Sequence, residues 1–292
     1  MNSGAKNRLG ASSSLSDNRR GAMNFIEFDD DVFIKFKELI YREAGIKLTD
    51  LKKALIQARL SKRLRFLGIP SYRDYYEYLI ENYGEEKIEF INAITTNKTE
   101  FFREGRHFEF IKDSCLPEFE GRGKKAIKIW SAGCSTGEEP YTMAITALES
   151  AQGAAADIRI LATDISTRVL KKAAQGIYPA ERVKSIPPDL LRKYFQVGQG
   201  NWAGHYRVKR DVRDVVVFEH FNLMEPIAAG EPFDVIFCRN VMIYFDKKTQ
   251  EGLVNRLHSR LTRGGYLFIG HSESLTGLRH PFQYTEPGVY RK

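Results

Sequence analysis

The chain lacks the marks of several common protein classes. No run approaches the roughly 18 consecutive apolar residues that span a bilayer, and no apolar signal-peptide core stands near the start. These absences predict a cytoplasmic protein with no direct membrane insertion. The three cysteines, Cys115, Cys134 and Cys238, have neither zinc-site spacing nor the even count of a disulfide framework, and read as reduced, mostly buried small side chains. The six histidines include no His-x-x-x-His pair, so no metal ligand set is visible. Also missing are the dinucleotide fingerprint Gly-x-Gly-x-x-Gly and the Lys-Ser/Thr pair of a phosphate-binding loop.

What is present fits a globular protein of one large or two modest domains: 292 residues, 42% of them hydrophobic. A formal charge of +8 and a pI near 9.2 predict an acidic partner. Charge alone does not choose among nucleic acid, an anionic surface and an acidic protein.

Residues 1–23 are rich in Ser, Gly, Asn and Arg and almost free of large apolar side chains, so they read as a flexible leader. Residues 24–95 form an all-helical domain. "DDDVFIKFKELIYREAG" opens on acidic residues and closes on Gly45, and "LTDLKKALIQARLSKRLRFLG" opens on a Thr/Asp cap and closes on Gly68. From residue 96 to 292 short apolar runs alternate with helical stretches, the pattern of βαβ units and a parallel sheet. The runs are "AIKIWSA", "IRILATD", "VVVFEHF", "FDVIFCRN" and "GGYLFIG". "FQYTEPGVYRK" adds a terminal antiparallel hairpin, and a polar, glycine-bearing stretch at about 195–215 reads as an inserted β-subdomain. The fold class is therefore α/β, a doubly wound sheet preceded by a helical domain.

The loop "SAGCSTGEEPY" after the first run has three readings. Gly133-Cys134-Ser135-Thr136-Gly137 spells the nucleophile elbow of an α/β-hydrolase, and Asp234 or Asp246 followed by His271 keeps the chain order of its triad. Against it, everything upstream is helical, and Glu138 and Glu139 oppose a developing oxyanion. A pyrophosphate would meet the same two charges at the helix N-terminus. The carboxylates suit a ligand bearing ammonium or hydroxyl groups, and the glycines would let it approach the backbone. Glu138 and Glu139 otherwise serve only to complement the helix dipole. Asp164, closing the second run, is placed to hydrogen-bond a ribose diol or, more simply, to cap the next helix.

Together "TTNKTEFFRE", "WSAGCSTGEEPY", "ATDIS", "FNL", "FDVIFCRNVMIYFDK" and "LFIGHSESL" resemble the chemotaxis receptor methyltransferases of the CheR type. The resemblance implies a class I methyltransferase domain bearing a small β-subdomain and preceded by a helical domain. It implies methyl transfer from S-adenosylmethionine to glutamates of methyl-accepting chemotaxis receptors at membrane-bound arrays, leaving S-adenosylhomocysteine. By motif matching, cofactor contacts fall on Asn97, Thr99, Arg103, Glu138, Asp164, Asn222, Leu223, Arg239 and Asn240. The local alternatives are a capping box at 97–100, a turn role for Asn222 and an ion-pair role for Arg239.

Such chemistry needs no general base, because glutamate, with a reference pKa near 4.3, is already an anion at pH 7. Arg103 and Tyr244 are the candidates for orienting the substrate carboxylate. The Asn/Asp-Pro-Pro-Tyr/Phe motif of many amino-group methyltransferases is replaced here by "CRNVMIYF", which argues against a nucleic-acid substrate. On a helical wheel Lys52, Arg59 and Arg63 fall within roughly 40°, with Lys62 alongside. The plain reading is a solvated face; the resemblance makes the stripe a docking site for acidic methylation helices. The rival activities are a serine hydrolase using Ser135 and a cofactor-sensing module without turnover.

Overall fold

A computed structural model describes residues 28–150 and 157–292, so the leader at 1–23 lies outside the described residues. The helical part comprises α1 (Asp30–Ala44), α2 (Lys53–Leu67), α3 (Tyr72–Glu81) and α4 (Tyr83–Ile94). Asp29 caps α1 by accepting the Val32 N–H at 2.7 Å, with Asp30 and Asp31 in the positive first turn. Gly45 and Gly68 end α1 and α2 in the left-handed region, φ 67° and 69°. The expected Thr/Asp cap of α2 is absent. Thr49 makes no side-chain cap bond, a 3₁₀ turn at Asp50–Lys52 intervenes, and Asp50 pairs with Lys37 at 2.7 Å. The core of this part is aromatic: Phe36 lies 5.9 Å from Tyr75 and 5.6 Å from Phe90, and all three are fully buried.

After α5 (Arg106–Phe110) and α6 (Leu116–Gly121) the α/β body begins with β1 (Ala126–Ala132), α7 (Glu138–Ser150), β2 (Asp157–Asp164) and α8 (Thr167–Gln175). It continues through β3 (Ile177–Pro179), α9 (Pro188–Tyr194), β4 (Phe195–Val197), β5 (His205–Val208), α10 (Arg210–Arg213) and β6 (Val216–His220). It closes with β7 (Phe233–Cys238), α11 (Lys247–Arg260), β8 (Leu261–Ile269), β9 (Gln283–Glu286) and β10 (Val289–Arg291). The main sheet has the order β6-β2-β1-β7-β8-β10-β9, parallel from β6 to β8 and antiparallel in the final hairpin. β7 is buried along almost its whole length, as a strand covered on both faces must be. The small sheet has the order β3-β5-β4, so the span 195–215 holds only two of its three strands. β3 is three residues long and leaves too little pattern to read.

From β1 the chain winds out to β2 and β6, then returns to the other side of β1 as β7. That reversal opens a crevice at the carboxyl ends of the strands. The helical part covers one side of it through Lys47 N–H to Tyr244 O (2.8 Å) and Asn222 Nδ2 to Glu43 O (2.7 Å). A further tie runs from Ser166 Oγ to Asn92 Oδ1 (2.6 Å). No helix among the described residues is long and apolar enough to cross a membrane.

Candidate active site

The loop after β1 is folded tightly. Gly133 and Gly137 take φ 90° and 93°, and Ser135 between them is left-handed at 51°. A Cβ on Gly133 would sit 2.5 Å from Val241 Cγ2, and one on Gly137 would sit 2.9 Å from Ala173 Cβ. The glycines are thus required by protein packing, whereas the sequence assigns them to ligand approach. Ser135 N–H donates to Asp164 Oδ2 and Ser166 N–H to Asp164 Oδ1, both at 2.9 Å. Asp164 therefore does not cap α8, which Ser166 caps instead. Each Asp164 oxygen keeps acceptor capacity toward the crevice. Burial raises its pKa, against which the Ser166 and Ser135 N–H groups favour the anion.

No hydrolase triad is assembled. Ser135 Oγ donates to Asn97 O at 3.2 Å, Asp246 caps α11, and His271 packs against the His107 ring. Asp234 is spent on Lys124, the Lys128 N–H and Thr262.

The two glutamates part company. Glu138 is fully buried and turned toward the small sheet, where Arg182 Nε donates to it at 3.1 Å and Thr136 Oγ1 at 2.6 Å. It does not line the crevice, contrary to the motif-based expectation. Successive helical side chains point about 100° apart, so Glu139 faces the crevice instead. There it accepts from Ser131 Oγ at 2.7 Å and lies 3.4 Å from Arg239 Nη1. Burial pushes its carboxyl above the usual range, with the Arg239 charge opposing.

The remaining expected residues converge from separate loops. Asn97, Thr99 and Arg103 come from the segment after α4, and Asn222 and Leu223 from the end of β6. Arg239, Asn240 and Tyr244 follow β7, and Lys52 and Arg59 come from the helical part. No helix forms at 97–100, which removes the capping box. Asn222 does act in a turn, accepting the Met224 N–H at 3.0 Å. The Lys52 ammonium lies 5.2 Å from the Tyr244 ring centroid.

Lys62 and Arg63 lie outside the crevice. With Arg59, Phe66 and Arg168 they line an adjoining depression. The stripe is not uniformly solvated, because Arg63 pairs with buried Glu86 (2.8 and 2.5 Å) and Arg59 Nη2 donates to Thr96 Oγ1 (2.9 Å).

Sequence reasoning missed Glu273 within "GHSESL". Its carboxylate accepts four backbone N–H groups, from Gly270 (2.7 Å), Asn240 (2.8 Å), Met242 (2.7 Å) and Ile243 (3.3 Å). It fixes the loop in which Asn240 is left-handed, φ 58°. An acceptor for backbone donors that far away leaves no spacing signal. The metal reading also changes, since Glu104, His107 and His271 converge with possible ligand atoms within 4.8 Å of one another. Arg239 already supplies the counter-charge, 3.0 Å from Glu104 Oε2. Burial, then Arg239, lowers the His107 pKa to about 4, so this cluster is an ion pair beside a neutral imidazole.

Comparisons with known proteins agree with this architecture. The family model described as "CheR methyltransferase, SAM binding domain" matches residues 97–290, and "CheR methyltransferase, all-alpha domain" matches 31–95. The chain is 40% identical over 275 residues to a chemotaxis protein methyltransferase of Borreliella burgdorferi, covering 91% of this chain and 96% of that protein. It is 42% identical over 260 residues to chemotaxis protein methyltransferase 2 of Pseudomonas aeruginosa (88% and 91% covered). With the Escherichia coli chemotaxis protein methyltransferase it shares 39% identity over 267 residues (91% and 92% covered). The all-alpha match falls on the helical part and the SAM-binding match on the α/β body, and the chain belongs to the CheR methyltransferase family.

Proposed function

We propose that the protein transfers a methyl group from S-adenosylmethionine to the side-chain carboxylate of glutamates in chemotaxis receptors, at membrane-bound arrays. The observation that carries this reading is the pair of inward carboxylates, Asp164 at the carboxyl end of β2 and Glu139 in the first turn of α7, which follows the adjacent parallel strand β1. They suit a cationic, hydroxyl-bearing ligand. Asn97, Thr99, Asn222, Leu223, Arg239 and Asn240 complete its binding site, and Glu139 takes the part first given to Glu138.

Bound S-adenosylmethionine supplies an electrophilic methyl group on a sulfonium. The chain's own task is then alignment and exclusion of water, because opposite charges disappear together in the transition state. Arg103 orients the incoming carboxylate, assisted by Tyr244, which lines the same crevice. No residue has to remove a proton. The substrate is an acidic methylation helix, drawn to the depression around Arg59, Lys62 and Arg168. Lys62 is the more accessible charge there, Arg63 being neutralised by Glu86.

The test is transfer of labelled methyl to receptor-bearing membranes, followed by mild base. Release of the label as methanol supports a glutamyl ester. A base-stable label would replace this reading with N-methylation.

A further inference from the structure

Arg103 stands between two residues held in the left-handed region, Phe102 at φ 57° and Glu104 at φ 56°. Neither is a glycine or an asparagine, so each conformation is strained and persists only because its surroundings enforce it. On one side the Phe102 N–H donates to buried Thr142 Oγ1 at 3.2 Å. On the other, Arg239 Nη2 donates to the Arg103 carbonyl at 2.5 Å and to Glu104 Oε2 at 3.0 Å. The Arg239 side chain is almost wholly buried, its guanidinium 5.5 and 5.4 Å from the ring centroids of Phe108 and Phe237. Packed beside this stacked pair of rings and bonded to Glu104, it has little freedom to let the Arg103 carbonyl go. The Glu104 carboxyl is buried, which would raise its pKa, yet the Arg239 charge and the His271 N–H hold it below the ordinary range.

We infer that Glu104 is a positioning residue: by clamping Arg239 onto the Arg103 carbonyl it keeps the strained turn closed and aims the Arg103 side chain into the crevice. The inference rests on the reading of Arg103 as the group that orients the substrate carboxylate. Without the clamp the turn relaxes toward ordinary φ values, and the side chain leaves the path of the substrate. Glu139, 3.4 Å from Arg239, remains to keep the guanidinium paired, so the cofactor site is largely spared.

A double-mutant cycle tests this, using receptor-bearing membranes for kcat and KM and calorimetry for S-adenosylhomocysteine binding. Glu104→Gln is expected to lower kcat/KM roughly tenfold or more, with the S-adenosylhomocysteine Kd changed less than ~3-fold. Glu104→Asp keeps the charge and should recover part of the loss. Arg103→Ala combined with Glu104→Gln should be no worse than Arg103→Ala alone, because the clamp has nothing left to aim. If Glu104→Gln does not fold, the same non-additivity is read from Glu104→Asp. Multiplying losses, or a Glu104→Gln enzyme with unchanged kcat/KM, would overturn the clamp while leaving the Arg103 reading in place. An Arg103→Ala enzyme as active as the parent would instead remove the Arg103 reading, and the clamp's purpose with it.

Discussion

In the helical part several helix ends are governed by the residue that stands at them. Asp29 and Ser71 cap their own helices, and the left-handed positions fall on Gly45 and Gly68. Around the crevice positive φ falls not only on Gly133 and Gly137 but on Phe102, Glu104 and Ser135, which have no intrinsic preference for it, and on Asn240, which tolerates it better. They are held from a distance: Ser135 by Asp164, Asn240 by Glu273, and the Arg103 turn by Arg239. One region stores its shape locally and the other in long-range polar contacts. Stability and binding should therefore separate when the two are perturbed.

The largest expected effect lies in the helical core. Phe36→Ala should cost about 4 kcal/mol of unfolding free energy in denaturant titration, with S-adenosylhomocysteine affinity unchanged while the protein is folded. A matching loss of affinity would break the comparison.

Next comes pH. His107 has its pKa lowered from 6.5 to about 4, so below pH 6.5 the unfolded chain takes a proton that the folded chain refuses. Stability should fall by about 3 kcal/mol as pH drops from 6.5 to 4. Thermal unfolding at several pH values, with His107→Phe flattening the curve, measures it.

Glu273→Gln leaves one amide oxygen for backbone donors that a carboxylate served. It should cost roughly 2 kcal/mol in stability and weaken S-adenosylhomocysteine binding in calorimetry. Glu139→Gln should raise the S-adenosylmethionine Kd about tenfold, near 1.4 kcal/mol, whereas Glu138→Gln should affect mainly stability. Equal Kd changes in the two would return the role to Glu138. The smallest effect is Ser71→Ala, about 1 kcal/mol in stability with methyl transfer unaltered.

The same contrast explains what could be read from the sequence. The five apolar runs became β1, β2, β6, β7 and β8, and the glycines closed their helices, because periodicity and caps are local. Which of Glu138 and Glu139 faces the crevice depends on the helix phase at one turn and on Arg182, 44 residues away. Glu273 and the convergence of Glu104 with His107 and His271 belong to the folded topology alone. The Thr49 cap failed for a related reason: a 3₁₀ turn took the residues that were to begin the helix.

The Glu273 contacts also bear on the order in which the molecule becomes competent. A growing chain that had emerged only just past β7 would already carry the glycine loop, Asp164 and Arg239, yet Asn240 would lack the acceptor that holds its backbone. β8 must first dock beside β7 and turn back through Gly270. The binding crevice is therefore among the last features to mature during synthesis, long after the helical part can have packed its aromatic core. Ligand present during translation would have nothing to stabilise until then, and refolding assisted by ligand should accelerate only the final closing of the sheet.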